Sequence, residues 1–183
     1  VIFLLFAGRK YFDMIGGIGG CNQGHCHPKI LKAFIDQAQK LTLTSRALHS
    51  DQLGLAEKKL HDLFGYDKSI FMNGGVESGE TAIKFARRWG YNVKKVQDGK
   101  AEILFPTGNF WGRTIAACGS SDDPLRYQKF GPFEGLGFSL VEYNNVQALE
   151  DRFKANPNIV GYLVEPIQGE RGVIIPTKGI SAL

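Results

Sequence analysis

The sequence predicts an α/β fold built on a mostly parallel sheet with helices on both faces. Two observations support this prediction. Short apolar segments typical of strands alternate with amphipathic helical segments along most of the 183 residues, and strands that are connected through helices usually run parallel. The predicted strand at residues 159–164 is apolar at nearly every position, as expected for a strand covered on both faces.

The composition is that of an ordinary folded protein. Hydrophobic residues make up 43% of the chain and charged residues 22%, and the net charge is +4, which excludes intrinsic disorder. Lysine and arginine occur singly or in pairs, so no basic stripe indicates a nucleic-acid partner. The apolar run at residues 1–7 is too short to span a bilayer, and three cysteines suggest a reducing compartment. We therefore expect a soluble intracellular protein that binds neither nucleic acid nor membranes.

Residues 1–45 predict a hairpin followed by one helix, and we assign them to an N-terminal segment. Residues 1–7 are expected to form a buried strand and residues 11–15 its partner. Glycines concentrated between residues 16 and 24 indicate a backbone that bends sharply. Residues 28–40 have the apolar spacing of a helix, with proline at its first position.

Residues 46–183 predict the first part of a larger α/β domain. Helices are expected at residues 52–64, 76–89 and 146–154, and strands at residues 69–72, 101–105, 138–141 and 159–164. The helix at 76–89 is expected to turn four apolar residues inward, namely Ala82, Phe85, Ala86 and Trp89. The connection between residues 107 and 137 is long enough to suggest a functional role.

A cluster of cysteines and histidines precedes the first predicted helix. Cys21, His25, Cys26 and His27 are close together in the sequence. Their spacing matches no common zinc pattern, and no second pair of ligands follows downstream. We therefore predict a turn at this place and no metal site.

A glycine-rich turn at residues 73–76 joins a predicted strand to a predicted helix. Asn73-Gly-Gly-Val76 would leave backbone N–H groups free at the positive end of the helix dipole, where an anion such as phosphate can bind. It is neither a P-loop nor a dinucleotide fingerprint. The alternative is a plain tight turn.

Two further segments carry residues suited to ligand binding. Phe110 and Trp111 lie between glycines, two residues before Arg113, and could stack on a flat ring while the guanidinium holds a carboxylate. The alternative is core packing under a loop. Glu165 follows an apolar strand, at the end where open α/β sheets bind ligands, and the alternative is that Glu165 and Glu170 are surface carboxylates on a hairpin.

These segments together resemble the pyridoxal-phosphate-dependent aminotransferases that act on ω-amino groups, which are class-III enzymes of fold type I. The resemblance rests on Asn73-Gly-Gly-Val-Glu-Ser-Gly-Glu-Thr-Ala82, Gly108-Asn-Phe-Trp-Gly-Arg-Thr114 and Val164-Glu-Pro-Ile-Gln-Gly-Glu170. Asn22-Gln-Gly-His-Cys-His-Pro28 and Leu41-Thr-Leu-Thr-Ser-Arg46 resemble, more narrowly, the family members that use ornithine. The resemblance implies that the chain is the N-terminal half of such an enzyme, with an incomplete domain.

The resemblance implies a cofactor, pyridoxal 5'-phosphate, and roles for five residues toward it. Gly74, Gly75 and Val76 would bind the phosphate through backbone amides. Phe110 would stack on the pyridine ring, and Trp111 would form part of the wall of the site.

The resemblance also implies roles toward the substrate. Arg113 would bind a substrate carboxylate, and Glu165 would lie on the substrate side of the cofactor. Glu170 would pair with an arginine from further along the chain. The expected reaction moves the δ-amino group of ornithine to 2-oxoglutarate and gives glutamate semialdehyde and glutamate.

The resemblance further implies a homodimer and a catalytic lysine and aspartate. Both residues follow the Glu-Pro-Ile-Gln-Gly-Glu motif in the family, so we expect them beyond Leu183 and assign no catalytic residue here. We expect the 183 residues alone to be inactive and poorly soluble. Family members occur in the cytoplasm and in the mitochondrial matrix, and the sequence does not separate these compartments.

Three positions depart from the ornithine-type pattern. Ile18 stands where a tyrosine meets the α-amino group of ornithine, which favours an alternative amino donor such as γ-aminobutyrate. Gly74 replaces a threonine, and Arg171 replaces a small residue and could compete for Glu170. A further alternative is a truncated, non-catalytic paralogue.

Overall fold

The computed structural model describes residues 2–4, 8–45 and 47–177, and it gives only the backbone for residues 2–4. The chain divides into two compact units, Val1–Ser69 and Ile70–Leu183, and each is described by itself. The assignment of residues 1–45 and 46–183 to different domains concerns a larger protein and stays a prediction.

The first unit begins with the predicted hairpin. Strand β1 (Ile2–Leu4) pairs antiparallel with strand β2 (Lys10–Phe12). The remaining residues of the predicted first strand, 1 and 5–7, lie outside the described part of the chain. β2 is exposed and ends at Phe12, whereas the sequence predicted a strand over 11–15. The strand ends early because the Asp13 carboxylate accepts hydrogen bonds from the backbone N–H groups of the next residues, which turns the chain.

Two helices complete the first unit. Helix α1 (Pro28–Ala38) begins at proline, as predicted, and ends two residues early. Helix α2 (Leu53–Phe64) ends at Gly65, which has the left-handed conformation (φ +76°) that stops many helices. Neither helix has a fully buried residue, so their apolar faces remain open in the described structure.

Residues 69–72 form no strand, so the prediction of a buried strand there was wrong. Ile70 and Phe71 are exposed, and neither of the two described sheets includes them. Strand formation depends on pairing with another strand as well as on an apolar sequence, and the sequence pattern shows only the second.

The second unit contains a three-stranded parallel sheet in the order β4-β3-β5, which confirms the predicted fold class. Its strands are β3 (Glu102–Pro106), β4 (Phe138–Val141) and β5 (Ile159–Tyr162). Its helices are α3 (Gly75–Asn92), α4 (Ile115–Gly119), α5 (Pro124–Tyr127) and α6 (Val146–Ala155). In the described residues no helix is long and apolar enough to cross a membrane.

The central strand β3 packs against helices on both faces. Ile103 and Phe105 join a cluster with Ile83 of α3, whereas Leu104 joins a second cluster with Leu149 of α6. Successive residues of a strand point to opposite faces, so α3 covers one face of the sheet and α6 the other.

Helix α3 buries only part of the predicted face, since Ala86 packs against the cluster around Ile103 as predicted but the other three residues do not. Phe85 and Trp89 are 57% and 48% exposed and Ala82 is exposed, whereas Ile83 and Gly90 are buried. Gly90 decides the face, because a Cβ there would lie only 2.3 Å from Val160 Cγ1 of β5. The absence of a side chain lets the helix approach the sheet along this line.

The long connection after β3 is not a plain loop, since it contains α4 and α5. Each short helix has a polar N-cap. The Thr114 hydroxyl accepts from Ala117 N, and the Asp123 carboxylate accepts from Leu125 N. The predicted loop at 107–137 therefore includes two local helical turns.

Candidate functional site

The loop that follows β3 packs on the N-terminal half of α3 through three contacts. A Cβ on Gly112 (φ +149°) would lie 2.2 Å from Val76 Cγ2, so only glycine fits there. A Cβ on Gly79 would lie 2.6 Å from Trp111 Cε3. The third contact is a hydrogen bond of 2.6 Å from the Thr114 hydroxyl to Glu80 Oε1. The structure thus brings together the first two of the three sequence motifs.

The third motif joins the same place through Glu165. Its Oε1 accepts a hydrogen bond of 2.7 Å from the backbone N–H of Phe110, a residue 55 positions earlier. Glu165 follows β5 and Phe110 follows β3, so the contact lies where these two parallel strands end. Such an edge is where open α/β sheets bind ligands.

The N-terminus of α3 has room for an anion. Gly74 is the N-cap, and its N–H donates to the Glu77 carboxylate over 3.0 Å. Apart from the adjoining backbone, no atom lies within 4 Å of the position that a Cβ would take on Gly74 or Gly75. The first N–H groups of a helix have no carbonyl one turn back to accept from them, and the dipole of this 18-residue helix favours negative charge there.

The two neighbouring aromatic residues have different surroundings. Trp111 stacks on the buried Phe105 with ring centroids 5.9 Å apart, and its Nε1 donates to Ser120 Oγ over 2.8 Å. Phe110 is only half-buried, and the Arg126 guanidinium lies 4.5 Å from its ring centroid. Trp111 is therefore packed in the core under the loop, which was the alternative to ligand binding. The Phe110 ring is in a position suited to a ligand.

Two buried amides hold the loop, and the sequence analysis assigned neither of them a role. Asn109 Nδ2 donates to the carbonyl oxygens of Pro106 (2.8 Å) and Ser120 (2.7 Å). Gln168 Nε2 donates to the carbonyl oxygen of Thr107 over 2.8 Å. Buried polar groups need such partners, and these contacts exist only once the distant segments meet.

Arg113 is exposed and borders a cavity of about 480 Å³. The other residues around this cavity include a second arginine, a carboxylate and three apolar residues, namely Arg126, Asp123, Ile115, Leu125 and Phe130. The combination suits a small ligand that has an apolar part and a negative charge.

Glu170 pairs with an arginine that the sequence did not indicate. Its Oε2 lies 3.6 Å from Arg126 Nη2. We expected Arg171 to be the competitor for this carboxylate, but the Arg171 stem lies against Gly108, with its Cγ 3.1 Å from the position of a Cβ there. Arg126 reaches Glu170 because α5 lies inside the connection that was predicted as a loop.

Tyr143 and Tyr162 are near the end of β5. The Tyr143 hydroxyl donates to the carbonyl oxygen of Glu165 over 3.3 Å, and burial raises its pKa, with a further contribution from the Glu165 charge. Burial raises the pKa of Tyr162 to about 12, with a further contribution from Tyr143. Both hydroxyls are therefore neutral at physiological pH, and that of Tyr143 acts as a hydrogen-bond donor.

Ile18 and the cysteine–histidine cluster lie in the first unit. Ile18 is 84% exposed and has a positive φ of 56°, and its role toward a substrate stays a prediction. His25 Nε2 lies 2.9 Å from the Asp13 carboxylate. Hydrogen bonds from the Gly16 N–H and from His25 hold the pKa of Asp13 below its usual value. In the part of the chain that the structure describes, no three metal-ligating side chains are grouped as a metal ion would need.

The sequence matches one known family along nearly its whole length. The pattern of the family described as aminotransferase class-III covers residues 1–182. The ornithine aminotransferase, mitochondrial, of Drosophila ananassae is 55% identical over 172 residues, which are 94% of this chain and 39% of that protein. The protein of the same name from Rattus norvegicus is 54% identical over 172 residues, which are again 94% of this chain and 39% of that protein. The chain thus spans 39% of the length of these curated relatives.

Solved structures give the same result for the fold. The crystal structure of the ornithine aminotransferase from Toxoplasma gondii ME49 superposes with a TM-score of 0.92 at 44% sequence identity. The superposition covers 97% of this chain and 42% of that chain. The three-stranded sheet and its helices therefore correspond to one part of a larger fold.

Proposed function

Because this chain belongs to the class-III aminotransferases, we propose that the complete protein transfers the δ-amino group of ornithine to 2-oxoglutarate, giving glutamate semialdehyde and glutamate. The observation that carries the proposal is the meeting of three motifs at one edge of the sheet, through Val76 with Gly112 and through Phe110 with Glu165. The names of the relatives support the choice of ornithine.

We propose that the N-terminus of α3 holds pyridoxal 5'-phosphate. The open space beside Gly74 and Gly75 supports this proposal, because a Cβ on either residue would meet no atom within 4 Å apart from the adjoining backbone. The backbone N–H groups at the start of α3, including that of Val76, would donate to its oxygens. When bound, the cofactor supplies the electron sink for removal of a proton from the carbon that carries the amino group.

Phe110 and Trp111 would position the flat ring of the cofactor. The Phe110 backbone is held by Glu165, so the main chain that carries the ring is in a defined position. Trp111 would form part of the wall of the cofactor site, since its ring is held between Phe105 and Gly79. Fixed aromatic faces exclude water from one side of a ligand at a small entropic cost.

Arg113 would bind a substrate carboxylate in the cavity of about 480 Å³, which has room for an amino acid of the size of ornithine. Glu165 would lie on the substrate side, with one oxygen engaged by Phe110 N. Glu170 would act as the counter-charge to an arginine from further along the chain. In this structure its carboxylate lies 3.6 Å from the guanidinium of Arg126. The lysine and aspartate of the family are proposed to follow Leu183.

A second candidate differs only in the amino donor. The Ile18 side chain has no hydrogen-bonding group, so it cannot hydrogen-bond to the α-amino group of ornithine. A donor without an α-amino group, such as γ-aminobutyrate, would then be preferred. The reaction class and the cofactor are the same in both candidates.

A donor screen with the complete holoenzyme tests the proposal. Glutamate formation from 2-oxoglutarate is measured with ornithine and with γ-aminobutyrate, and Ile18→Tyr is compared with the unchanged protein. We expect ornithine to be used, and Ile18→Tyr to lower the KM for ornithine. Turnover of γ-aminobutyrate without turnover of ornithine would establish the second candidate, and absence of transfer from either donor would contradict both.

We further propose that the complete protein is a homodimer in the cytoplasm or the mitochondrial matrix. The relatives described above carry the word mitochondrial in their names. Light scattering of the purified holoenzyme is expected to give twice the mass of one chain, and the mass of a single chain would contradict the dimer.

A further inference from the structure

The backbone that carries Arg113 is attached to helix α3 on both sides. The residue before it, Gly112, packs so closely on α3 that a Cβ there would lie 2.2 Å from Val76 Cγ2. The residue after it, Thr114, donates a hydrogen bond of 2.6 Å from its hydroxyl to Glu80 Oε1. The main chain at Arg113 therefore takes its position from α3.

The Thr114 hydroxyl has a second partner, which is the start of helix α4. As the N-cap of α4, its oxygen accepts from Ala117 N over 3.3 Å. The distance of 2.6 Å to Glu80 is typical of a hydroxyl that donates to a carboxylate. Such a donor is polarised and becomes a better acceptor. Glu80 therefore strengthens the cap that begins α4.

Helix α4 borders the same cavity as Arg113. Its residues Ile115 and Cys118 line the cavity of about 480 Å³ together with Arg113. An N-cap fixes where a helix begins and in which direction it leaves the preceding chain. The bond from Thr114 to Glu80 thus sets the position of one wall of the cavity, including the arginine just before the cap.

The helix that holds Thr114 is also the one that begins at the proposed phosphate site. Gly75 is the first residue of α3, and Glu80 lies in its second turn. Because a helix is stiff over so short a length, Glu80 links the position of Arg113 to that of the proposed phosphate site. Groups that bind different parts of one reacting complex gain from such a fixed spacing.

We propose that Glu80 is a positioning residue, which accepts from the Thr114 hydroxyl and so holds Arg113 and the start of α4 where a substrate carboxylate can bind. This inference rests on the proposed function and adds to it the residue that aligns the carboxylate anchor with α3. Glu80 itself contacts neither substrate nor cofactor in this account.

The test measures binding of pentanoate, an unreactive monocarboxylate, to the complete holoenzyme by calorimetry. Glu80→Ala and Thr114→Val remove the hydrogen bond, whereas Glu80→Gln keeps an acceptor oxygen and Thr114→Ser keeps the hydroxyl. The control is Glu150→Ala, which removes an exposed carboxylate of α6 that pairs with Lys154. KM and kcat with the amino donor, cofactor absorbance and thermal unfolding are recorded for every variant.

We expect Glu80→Ala to raise both the dissociation constant of pentanoate and the KM for the donor about threefold to tenfold, the equivalent of one hydrogen bond. Its kcat and cofactor content should change little, because the contacts of Gly79 and Gly112 still hold the rest of the loop on α3. Glu80→Gln, Thr114→Ser and Glu150→Ala should bind pentanoate much as the unchanged protein does. Glu80→Ala combined with Thr114→Val should be no worse than Thr114→Val alone, because both changes remove the same bond.

A loss of folding alone would lower kcat and cofactor content together and would leave the pentanoate constant of the folded fraction unchanged. That pattern in Glu80→Ala would overturn the inference, as would fully additive effects of Glu80→Ala and Thr114→Val. Equal weakening in Glu80→Gln, or no pentanoate binding to the unchanged protein, would also overturn it. Absence of amino transfer from every donor would contradict the proposed function, while the pentanoate measurements would still test Glu80.

Discussion

Single hydrogen bonds hold the backbone of the loop that carries Phe110. Glu165 accepts from Phe110 N, and the neighbouring Asn109 is 3% exposed and donates to two carbonyl oxygens. Hydrogen bonds to an ionised acceptor are stronger than neutral ones. One carboxylate therefore fixes the main chain at the residue whose ring is proposed to contact the cofactor.

Glu165→Ala is expected to lower the free energy of unfolding of the complete protein by about 1 to 3 kcal/mol, because Phe110 N loses its acceptor. Glu165→Gln keeps an acceptor oxygen and should retain most of the stability. Denaturant unfolding followed by circular dichroism gives both values. If Glu165→Ala is as stable as Glu165→Gln, the hydrogen bond does not hold the loop.

Tyr162 makes stability depend on pH in the alkaline range. Its pKa in the folded protein is about 12, above the ordinary value of a tyrosine. A group whose pKa is raised by folding stabilises the protein fully below its unfolded pKa, and this contribution is lost as the pH rises through the folded pKa. The loss therefore falls between about pH 10 and pH 12.

Tyr162→Phe should remove the part of the alkaline loss of stability that Tyr162 causes, because phenylalanine has no ionisable group. Thermal unfolding midpoints are compared between pH 9 and about pH 12, with Tyr66→Phe as the control, since Tyr66 is 74% exposed. The same alkaline loss in Tyr162→Phe and in the unchanged protein would show that Tyr162 does not cause it.

At the scale of elements, helix α3 connects the sheet to the candidate site. Its first residue, Gly75, belongs to the proposed phosphate site, and its later residue Gly90 packs closely against Val160 of β5. Between them, Gly79 receives the Trp111 ring. These glycines, which have no Cβ, thus set the position of α3, so the position of the proposed phosphate site follows from the packing of the helix.

The same substitution should have opposite effects in two helices. Gly90→Ala in α3 would bring a Cβ to 2.3 Å from Val160 Cγ1, and we expect it to destabilise the complete protein by about 1 to 3 kcal/mol. Gly54→Ala in α2 meets no atom within 4 Å, so it should stabilise by up to about 1 kcal/mol through helix propensity. Denaturant midpoints measure both, and a neutral Gly90→Ala would contradict the close packing.

At the scale of the whole molecule, the chain exposes much apolar surface. Large apolar side chains are exposed in both units, including Phe34 and Leu63 in the first and Phe85, Leu125 and Phe130 in the second. The outer strands of the three-stranded sheet each pair on one side only within the described residues. Exposed apolar patches and open sheet edges favour aggregation.

We expect the 183 residues expressed alone to be poorly soluble, because these surfaces would be open to water. The soluble fraction after expression is compared with that of the complete protein under the same conditions. A soluble, monomeric 183-residue chain with a sharp unfolding transition would contradict this expectation.

Borohydride reduces the Schiff base between a cofactor and its lysine to a stable amine, so it can locate the catalytic lysine. Reduction of the complete holoenzyme should attach the cofactor covalently to a lysine beyond Leu183, because we assign none of the lysines up to that residue to this role. Peptide mass spectrometry identifies the labelled residue. A label on a lysine within residues 1–183 would contradict the assignment.

The sequence by itself determined the hairpin, the positions of most helices and strands, the parallel sheet and the family. Helix and strand periodicity, caps and glycine turns depend on neighbours within a few residues, so they can be read locally. The motif at residues 73–76 was likewise found as a turn that could hold an anion.

Only the tertiary structure decided which surfaces meet. It showed that residues 69–72 form no strand, that α3 packs through Ile83 and Gly90 rather than through Phe85 and Trp89, and that Arg126 pairs with Glu170. The Phe110–Glu165 hydrogen bond spans 55 positions. These contacts depend on shape and on polar satisfaction between distant segments, and no local pattern in the sequence encodes either of them.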